Sequence, residues 1–479
     1  MVSRGFEFVV TVTGPGLGAA RLRRGLSGPP HLMPKRNVVI LVASVLASLI
    51  AWAARERGGH GHRFGELLTA IERHSMSDVD VEQVYAASVM AAVAQLDEHS
   101  AYLPDGERAA LEPTLDQTFT GVGLELSVDP DRRQPLVEAA VFAGPAWRSD
   151  IESGDWIEAI DGTPTSGLPL REVVARLRGP VNTPVRLRVA SGGRHLLSLD
   201  PAVQPSTEAP RELVLIRETV EVETVEGDRR NDDGSWDWML EGERGLAYVR
   251  IDSFGERTAP EFTAALDQIA AIPDLTGLIL DLRANPGGLI GAAVAVCDAL
   301  LEDGVIVEIR GRPNRGTDSA ASSDVRRATP GAALVGVPIA ILVDGLTASA
   351  AETVAACLQD AGRATVVGSR TLGKGTVQSL IPLSDGRGVL KLTTAEYVRP
   401  TRESIHRGND EGDSAAWGVR PDPGCEVTPT AEAVERIRHW RRSRISPSRS
   451  AAPVSASGFL PREIDAVLVR GIDATRGVR

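Results

Sequence analysis

Lysine is nearly missing from this chain. Of its 52 basic residues, three are lysine (Lys35, Lys374 and Lys391), and the rest are arginine. A guanidinium stays charged at any relevant pH, whereas an ammonium can lose its proton. Arginine use this consistent singles out Lys374, between two glycines in G-K-G-T-V-Q, as a candidate general base. The plainer reading is a surface lysine in a glycine turn. Cysteine is scarce as well. Cys297, Cys357 and Cys425 are odd in number and far apart, which excludes a disulfide framework and a CxxC metal pair. Cys297 and Cys357 fall in apolar helical stretches that suit buried thiols. The eight histidines show no HExxH or similar spacing, so neither a metal site nor a cofactor is expected. There is no basic stripe either, and a net charge of −12 argues against a nucleic-acid partner. Arginine clusters at Arg21–Arg24 and Arg438–Arg444 read as solvated ends.

What is present is ordinary for globular protein. At 479 residues and 42% hydrophobic content, the chain has room for two or three domains. Residues 1–32 read as an upstream extension. Residues 33–55 read as a signal anchor or a signal peptide, because Lys35 and Arg36 precede an uncharged run from Val38 to Ala54. The anchor is the favoured alternative, although Ala51-Trp52-Ala53 offers a cleavage site. Either places the rest of the chain outside the cytoplasm, periplasmic or extracellular.

Residues 56–112 have helical periodicity, with Ser77 and Asp78 suited to cap the second helix. Residues 113–203 change to short strands around one helix, closing in the strict alternation of P-V-R-L-R-V. Residues 204–430 alternate strands with helices, which predicts a mostly parallel α/β sheet. Within them, Pro313 to Thr329 reads as a surface loop. Residues 431–479 read as a tail with short helices.

Ser349 stands between the buried-type strand P-I-A-I-L-V and a helix, where open α/β sheets place their sites. The free N–H groups of that helix start favour a developing negative charge. A serine there is also a common N-cap. A serine nucleophile needs a proton acceptor, and neither G-x-S-x-G nor S-x-x-K surrounds Ser349. Lys374 is the available base if burial lowers its pKa, with His406 as an open alternative. Gln378 offers an amide oxygen to hold the lysine, and is otherwise a strand-edge polar residue. The glycines of N-P-G-G, Asn285 to Gly288, let backbone N–H groups turn into a site; a plain tight turn is the alternative.

D-L-R-A-N-P-G-G, A-S-A-A-E and L-G-K-G-T-V-Q, in that order, resemble the carboxy-terminal processing (tail-specific) serine proteases. Residues 113–203 resemble a PDZ domain. L-D-E-H-S-A-Y-L, L-K-L-T-T-A-E-Y and G-V-R-P-D extend the likeness over about Phe64 to Val427. The resemblance implies a ClpP/crotonase-like protease core with an inserted PDZ domain and a helical N-terminal region. It implies a dyad of Ser349 and Lys374 with Gln378 positioning the lysine, and an oxyanion hole from the N–H groups of Gly288 and Ala350. Gly121, Val122, Gly123 and Leu124 would form the loop that takes a peptide carboxylate, with the next strand pairing to the ligand. Departures are Trp147-Arg148-Ser149-Asp150, where small or apolar residues are usual, Ala351 in place of a frequent serine, and a long acidic stretch from Arg407 to Trp417. The implied partners are proteins with unstructured C-terminal tails and, through the N-terminal segment, a membrane. A regulatory adaptor and self-association stay open. Alternative readings are a catalytically silent PDZ scaffold and a crotonase-like acyl-CoA enzyme.

Overall fold

The computed structural model describes residues 37, 39–45, 59–104, 117–129, 131–191, 209–312, 323–383, 388–408, 417–445 and 464–477. The chain forms two units, residues 1–85 and 86–479. In the first, residues 39–45 are helical and exposed. The extension at 1–32 and most of the apolar run after it lie outside the described residues. Among those described, no helix is long and apolar enough to cross a membrane. Helix α1 spans Gly59–His74, and α2, Val81–Val93, starts in this unit. The rings of Phe64 and Tyr85 meet at 6.0 Å. The cap of α2 is Asp80 rather than Ser77 or Asp78. Its carboxylate accepts from Glu82 N at 3.0 Å and Gln83 N at 3.2 Å, serving the free donors of the first turn.

In the second unit, Ala101–Leu103 is a strand, β1, although helical texture was expected to run to residue 112. It pairs antiparallel with Lys391–Val389, a partner that no local periodicity reveals. A small β-domain follows. Strand β2 (Thr118–Gly121) leads to β3 (Leu124–Val128) and β4 (Pro135–Ala140). Helix α3 (Pro145–Arg148), β5 (Asp155–Ile160), β6 (Thr163–Pro164), α4 (Leu170–Leu177) and β7 (Pro184–Ser191) come next. The alternation read in β7 is real: Val185, Leu187 and Val189 are buried while the residues between them are exposed. Strand β8 (Arg211–Ile216) pairs along β7, so this sheet, ordered β3-β4-β5-β7-β8, runs past residue 203. Strand β3 lies at its edge, and β2 pairs separately with β9 (Glu218–Glu221). Trp147 is accommodated against Phe142, ring to ring at 4.7 Å.

The remainder is an α/β core. Strand β10 (Val225–Glu226) is followed by a hairpin of β11 (Arg229–Arg230) and β12 (Trp236–Asp237). Then come β13 (Leu246–Ile251), α5 (Thr258–Ala270), β14 (Gly277–Asp281) and α6 (Ile290–Asp298). Two strands, β15 (Val305–Gly311) and β16 (Ser323–Arg327), pair with each other. All five residues of β16 are exposed, so its polar sequence reads as loop although its backbone is extended. Next are β17 (Ile339–Val343), α7 (Ala350–Asp360) and β18 (Thr365–Gly368). The chain continues with β19 (Thr376–Pro382), β20 (Val389–Val398), α8 (Ala431–Ile445) and α9 (Ala466–Thr475).

Strands β13, β14, β17 and β18 are parallel, and every residue of β14 and β17 is buried. Such continuous apolar runs arise when both faces are covered. One face, with Leu278, Leu280, Ile341 and Val343, packs on α5, α6 and α7. The other, with Tyr248, Ile279, Leu342 and Val367, packs on Val467, Leu468 and Ile472 of α9. The segment expected as a tail thus supplies a layer of the core. A second sheet, β1-β20-β15-β16 with β19 on β20, carries the chain on from the loop after β18.

Candidate active site

The carboxyl ends of β14, β17 and β18 converge, and three loops leave from them. The first is Leu282 to Leu289. Its backbone enters the left-handed region at Ala284 (φ 58°), Gly287 (φ 96°) and Gly288 (φ 140°). Asn285 organises it: its side chain accepts from Gly287 N at 2.8 Å and donates to Ile251 O at 2.7 Å. Phe254 N donates to Gly287 O at 2.9 Å, and Phe254 also bridges Gly288. A Cβ at Gly288 would collide with Phe254 O, so this close approach requires glycine.

The second loop holds Ser349, which is 8% exposed and N-caps α7. Its φ of 56° and ψ of −116° are unusual for a residue with a Cβ. Such a conformation costs on the order of 1–3 kcal/mol and persists only where neighbours enforce it. The neighbours are in place. Ala348 N donates to Asn285 O at 2.9 Å, and Thr347 Oγ1 to Leu282 O at 2.9 Å. A Cβ on Gly287 would stand 2.7 Å from Ser349 Cβ and 3.0 Å from Ala350 N. The glycine loop and the start of α7 therefore touch at the serine. Ala350 is the first residue of α7, so its N–H has no acceptor within the helix.

The third loop brings Lys374. Glu352, 0% exposed, joins it to the second. Its Oε2 accepts from Ser349 N and from Lys374 N, each at 2.8 Å. Its Oε1 accepts from Gly373 N at 2.7 Å and Thr371 Oγ1 at 2.5 Å. Burial pushes this carboxyl up, against the four hydrogen bonds that favour its ionised form. Sequence reasoning assigned Glu352 no role. The S-x-x-E spacing of a capping box was the available signal. Lys374 is half-buried, and its ammonium is held below its ordinary value, first by burial and then by repulsion from Lys391; Glu352 and Glu98 oppose this.

Gln378 sits inside β19. Its amide nitrogen donates to Thr376 Oγ1 at 2.9 Å and to Thr393 Oγ1 at 3.3 Å. Thr393 Oγ1 in turn donates to Asp97 Oδ1 at 3.1 Å, and Thr393 N to Ser100 Oγ at 3.1 Å. The D-E-H-S stretch thereby buttresses the glutamine, another contribution that sequence reasoning left without a role. Burial would raise the Asp97 carboxyl, but hydrogen bonds from Ser100, His99 and Thr393 outweigh it and hold it low. His406 lies against this site too, its N close to Gly375.

Gly121, Val122, Gly123 and Leu124 are grouped elsewhere, between β2 and β3 of the β-domain. Gly121 faces Leu177 O at the end of α4, and Gly123 (φ 76°) faces Val141 and Val220. The link to the serine region is Gln117, just before β2. Its amide donates to Thr224 Oγ1 at 2.7 Å and accepts from Arg257 N at 2.5 Å, beside Gly255 and Phe254. No group of three or more metal-ligating side chains occurs among the described residues.

Comparison with known proteins gives matches for both parts. The model of peptidase family S41 matches residues 245–422, which include Gly288, Ser349, Lys374 and Gln378. The PDZ-domain model matches residues 136–191, starting after the Gly121–Leu124 loop. The chain is similar to a carboxy-terminal-processing protease of Bartonella bacilliformis, 33% identical over 385 residues, covering 77% of this chain and 80% of that one. It is similar to a carboxyl-terminal-processing protease of Synechocystis, 34% identical over 349 residues, covering 72% and 71%. Among solved structures, a photosystem II D1 C-terminal processing protease is 26% identical, with a TM-score of 0.41 over 80% of this chain and 97% of that one.

Proposed function

The chain belongs to peptidase family S41, the carboxy-terminal processing serine proteases, and from that premise we propose that Ser349 is its nucleophile and Lys374 its general base. One observation carries this assignment: a single carboxylate oxygen of Glu352 accepts from the backbone N–H of both residues. Two loops from different strand ends are pinned to one point, so their side chains leave from adjacent positions. Neutral Lys374 takes the hydroxyl proton as Ser349 Oγ attacks the scissile carbonyl. The N–H groups of Gly288 and Ala350 receive the oxyanion. The C–N bond then breaks, the ammonium returns its proton to the leaving amine, and an acyl-enzyme ester remains. Water, deprotonated by the same lysine, hydrolyses that ester. Gln378 holds the lysine through its amide oxygen, since both of its described hydrogen bonds use the amide nitrogen.

The substrates are proteins with unstructured C-terminal tails. The Gly121–Leu124 loop takes the terminal carboxylate and β3 pairs with the extended tail, which its place at the edge of the sheet among the described residues supports. The enzyme works outside the cytoplasm, delivered by the apolar run from Val38 to Ala54, as an anchored or a released form. The test is peptide hydrolysis by the wild type and by Ser349→Ala, with binding of a tail peptide measured alongside. Hydrolysis lost with binding kept is the expected result. Hydrolysis that survives the substitution removes the dyad, and a wild type that binds tails without cutting them leaves only a scaffold.

A further inference from the structure

The glycine loop is also held from the opposite face of the sheet. Arg283, two residues after the end of β14, turns its guanidinium into the layer beneath α9. Nε and Nη2 form a fork on Asp281, at 3.0 Å to Oδ1 and 2.6 Å to Oδ2. The remaining arm, Nη1, reaches Asp465, at 3.0 Å from Oδ1 and 2.8 Å from Oδ2. All three side chains are buried, Asp281 completely, and Tyr248 Oη closes the cluster on Asp281 Oδ2 at 2.7 Å. Asp465 lies 182 residues from Arg283 along the chain. It is fixed independently, because it caps α9 by accepting from Leu468 N at 3.0 Å and α9 is packed on the sheet.

We propose that Asp465 is a positioning residue for peptide hydrolysis, setting the Asn285–Gly288 loop in place through Arg283. This rests on the reading of Gly288 and Ala350 as the oxyanion donors. A buried ion pair adds little net stability compared with apolar packing, but a guanidinium fork has fixed directions. Here the fork is clamped between two carboxylates on separate elements. The backbone it anchors then passes through three left-handed residues within five positions, a shape that relaxes if its base is free to turn. An oxyanion donor displaced by a fraction of an ångström stabilises the transition state less and leaves substrate binding unaltered.

Asp465→Asn isolates the effect, since asparagine still caps a helix but cannot neutralise Arg283. Rates are normalised to the number of sites labelled to completion by a fluorophosphonate. Ile306→Ala, a buried truncation in β15 that leaves α9 and both charges in place, serves as the stability control, and Ser349→Ala is run alongside. In Asp465→Asn, kcat falls about tenfold with KM within about twofold, and affinity for a peptide boronic acid, a tetrahedral mimic, falls in parallel. An unchanged kcat, or an equal loss of kcat in Ile306→Ala, overturns the proposal while the dyad reading stands. Hydrolysis that persists in Ser349→Ala overturns both.

Discussion

Among single side chains, the most informative relation is between Lys374 and the charges around it. Burial and Lys391 lower its pKa, while Glu352 and Glu98 pull the other way. A lysine acting as base works only when neutral, so lowering the pH through its pKa removes activity. The expected acid limb of kcat/KM therefore lies below the ordinary lysine value, with a slope of about one per pH unit. Replacing Lys391 by methionine takes away the repelling charge, and the limb then moves to higher pH. Steady-state assays across pH on stable protein check this, and a limb that stays in place shows Lys391 to be irrelevant to it. Scarcity is what makes Lys374 stand out in the sequence. Three lysines among 52 basic residues drew attention to Lys374, and a serine at a strand-to-helix junction to Ser349. Glu352 gave no such cue, because a glutamate three residues into a helix is ordinary capping chemistry. Its service to a second loop depends on a contact 22 residues away.

Secondary-structure elements divide along similar lines. Buried parallel strands and their helices announce themselves as continuous apolar runs and three-to-four periodicity, and β17 and α7 lie where those patterns put them. Elements defined by a distant partner do not. β1 has three residues, and only pairing with β20 makes it a strand. β16 is exposed throughout and mostly polar, so no alternation marks it as a strand. Helix α9 is the largest such case, since its ten residues carry too little pattern to show that they cover a sheet. Its burial makes a clear expectation. Leu468, 1% exposed, faces Leu342 and Val367 in the same cluster, so Leu468→Ala costs about 2–5 kcal/mol of stability. Urea unfolding measures it, and a loss under about 0.5 kcal/mol means that α9 is not a structural layer.

The assembled second unit is joined by arginine. Arg230 stacks between Phe142 of the β-domain, at 4.9 Å, and Trp236 of the core hairpin, at 4.0 Å. Arg442 of α8 pairs with Glu138 on β4, and Arg441 donates to Glu226 at 3.0 Å. Burial, then the neighbouring Asp252, push Glu226 up to about 8. A carboxyl raised in this way contributes stability that is complete below its unfolded value and lost as pH rises through the folded one. Glu226→Gln removes that dependence. Its stability relative to wild type should therefore climb between about pH 4.5 and pH 8, followed by thermal melts over that range. A constant difference would show that Glu226 stays ionised beside Arg441.

The placement of α9 also bears on how the enzyme is made. Strand β18 ends at Gly368, and the helix that roofs its sheet begins at Ala466, about 100 residues later in synthesis. At the usual rates of translation, that interval lasts roughly 5–20 s. During it Ser349, Lys374 and the glycine loop have all been synthesised, yet the apolar underside of their sheet is bare and Arg283 lacks its second carboxylate. A nascent chain therefore carries Ser349 and Lys374 well before α9 can cover the sheet beneath them.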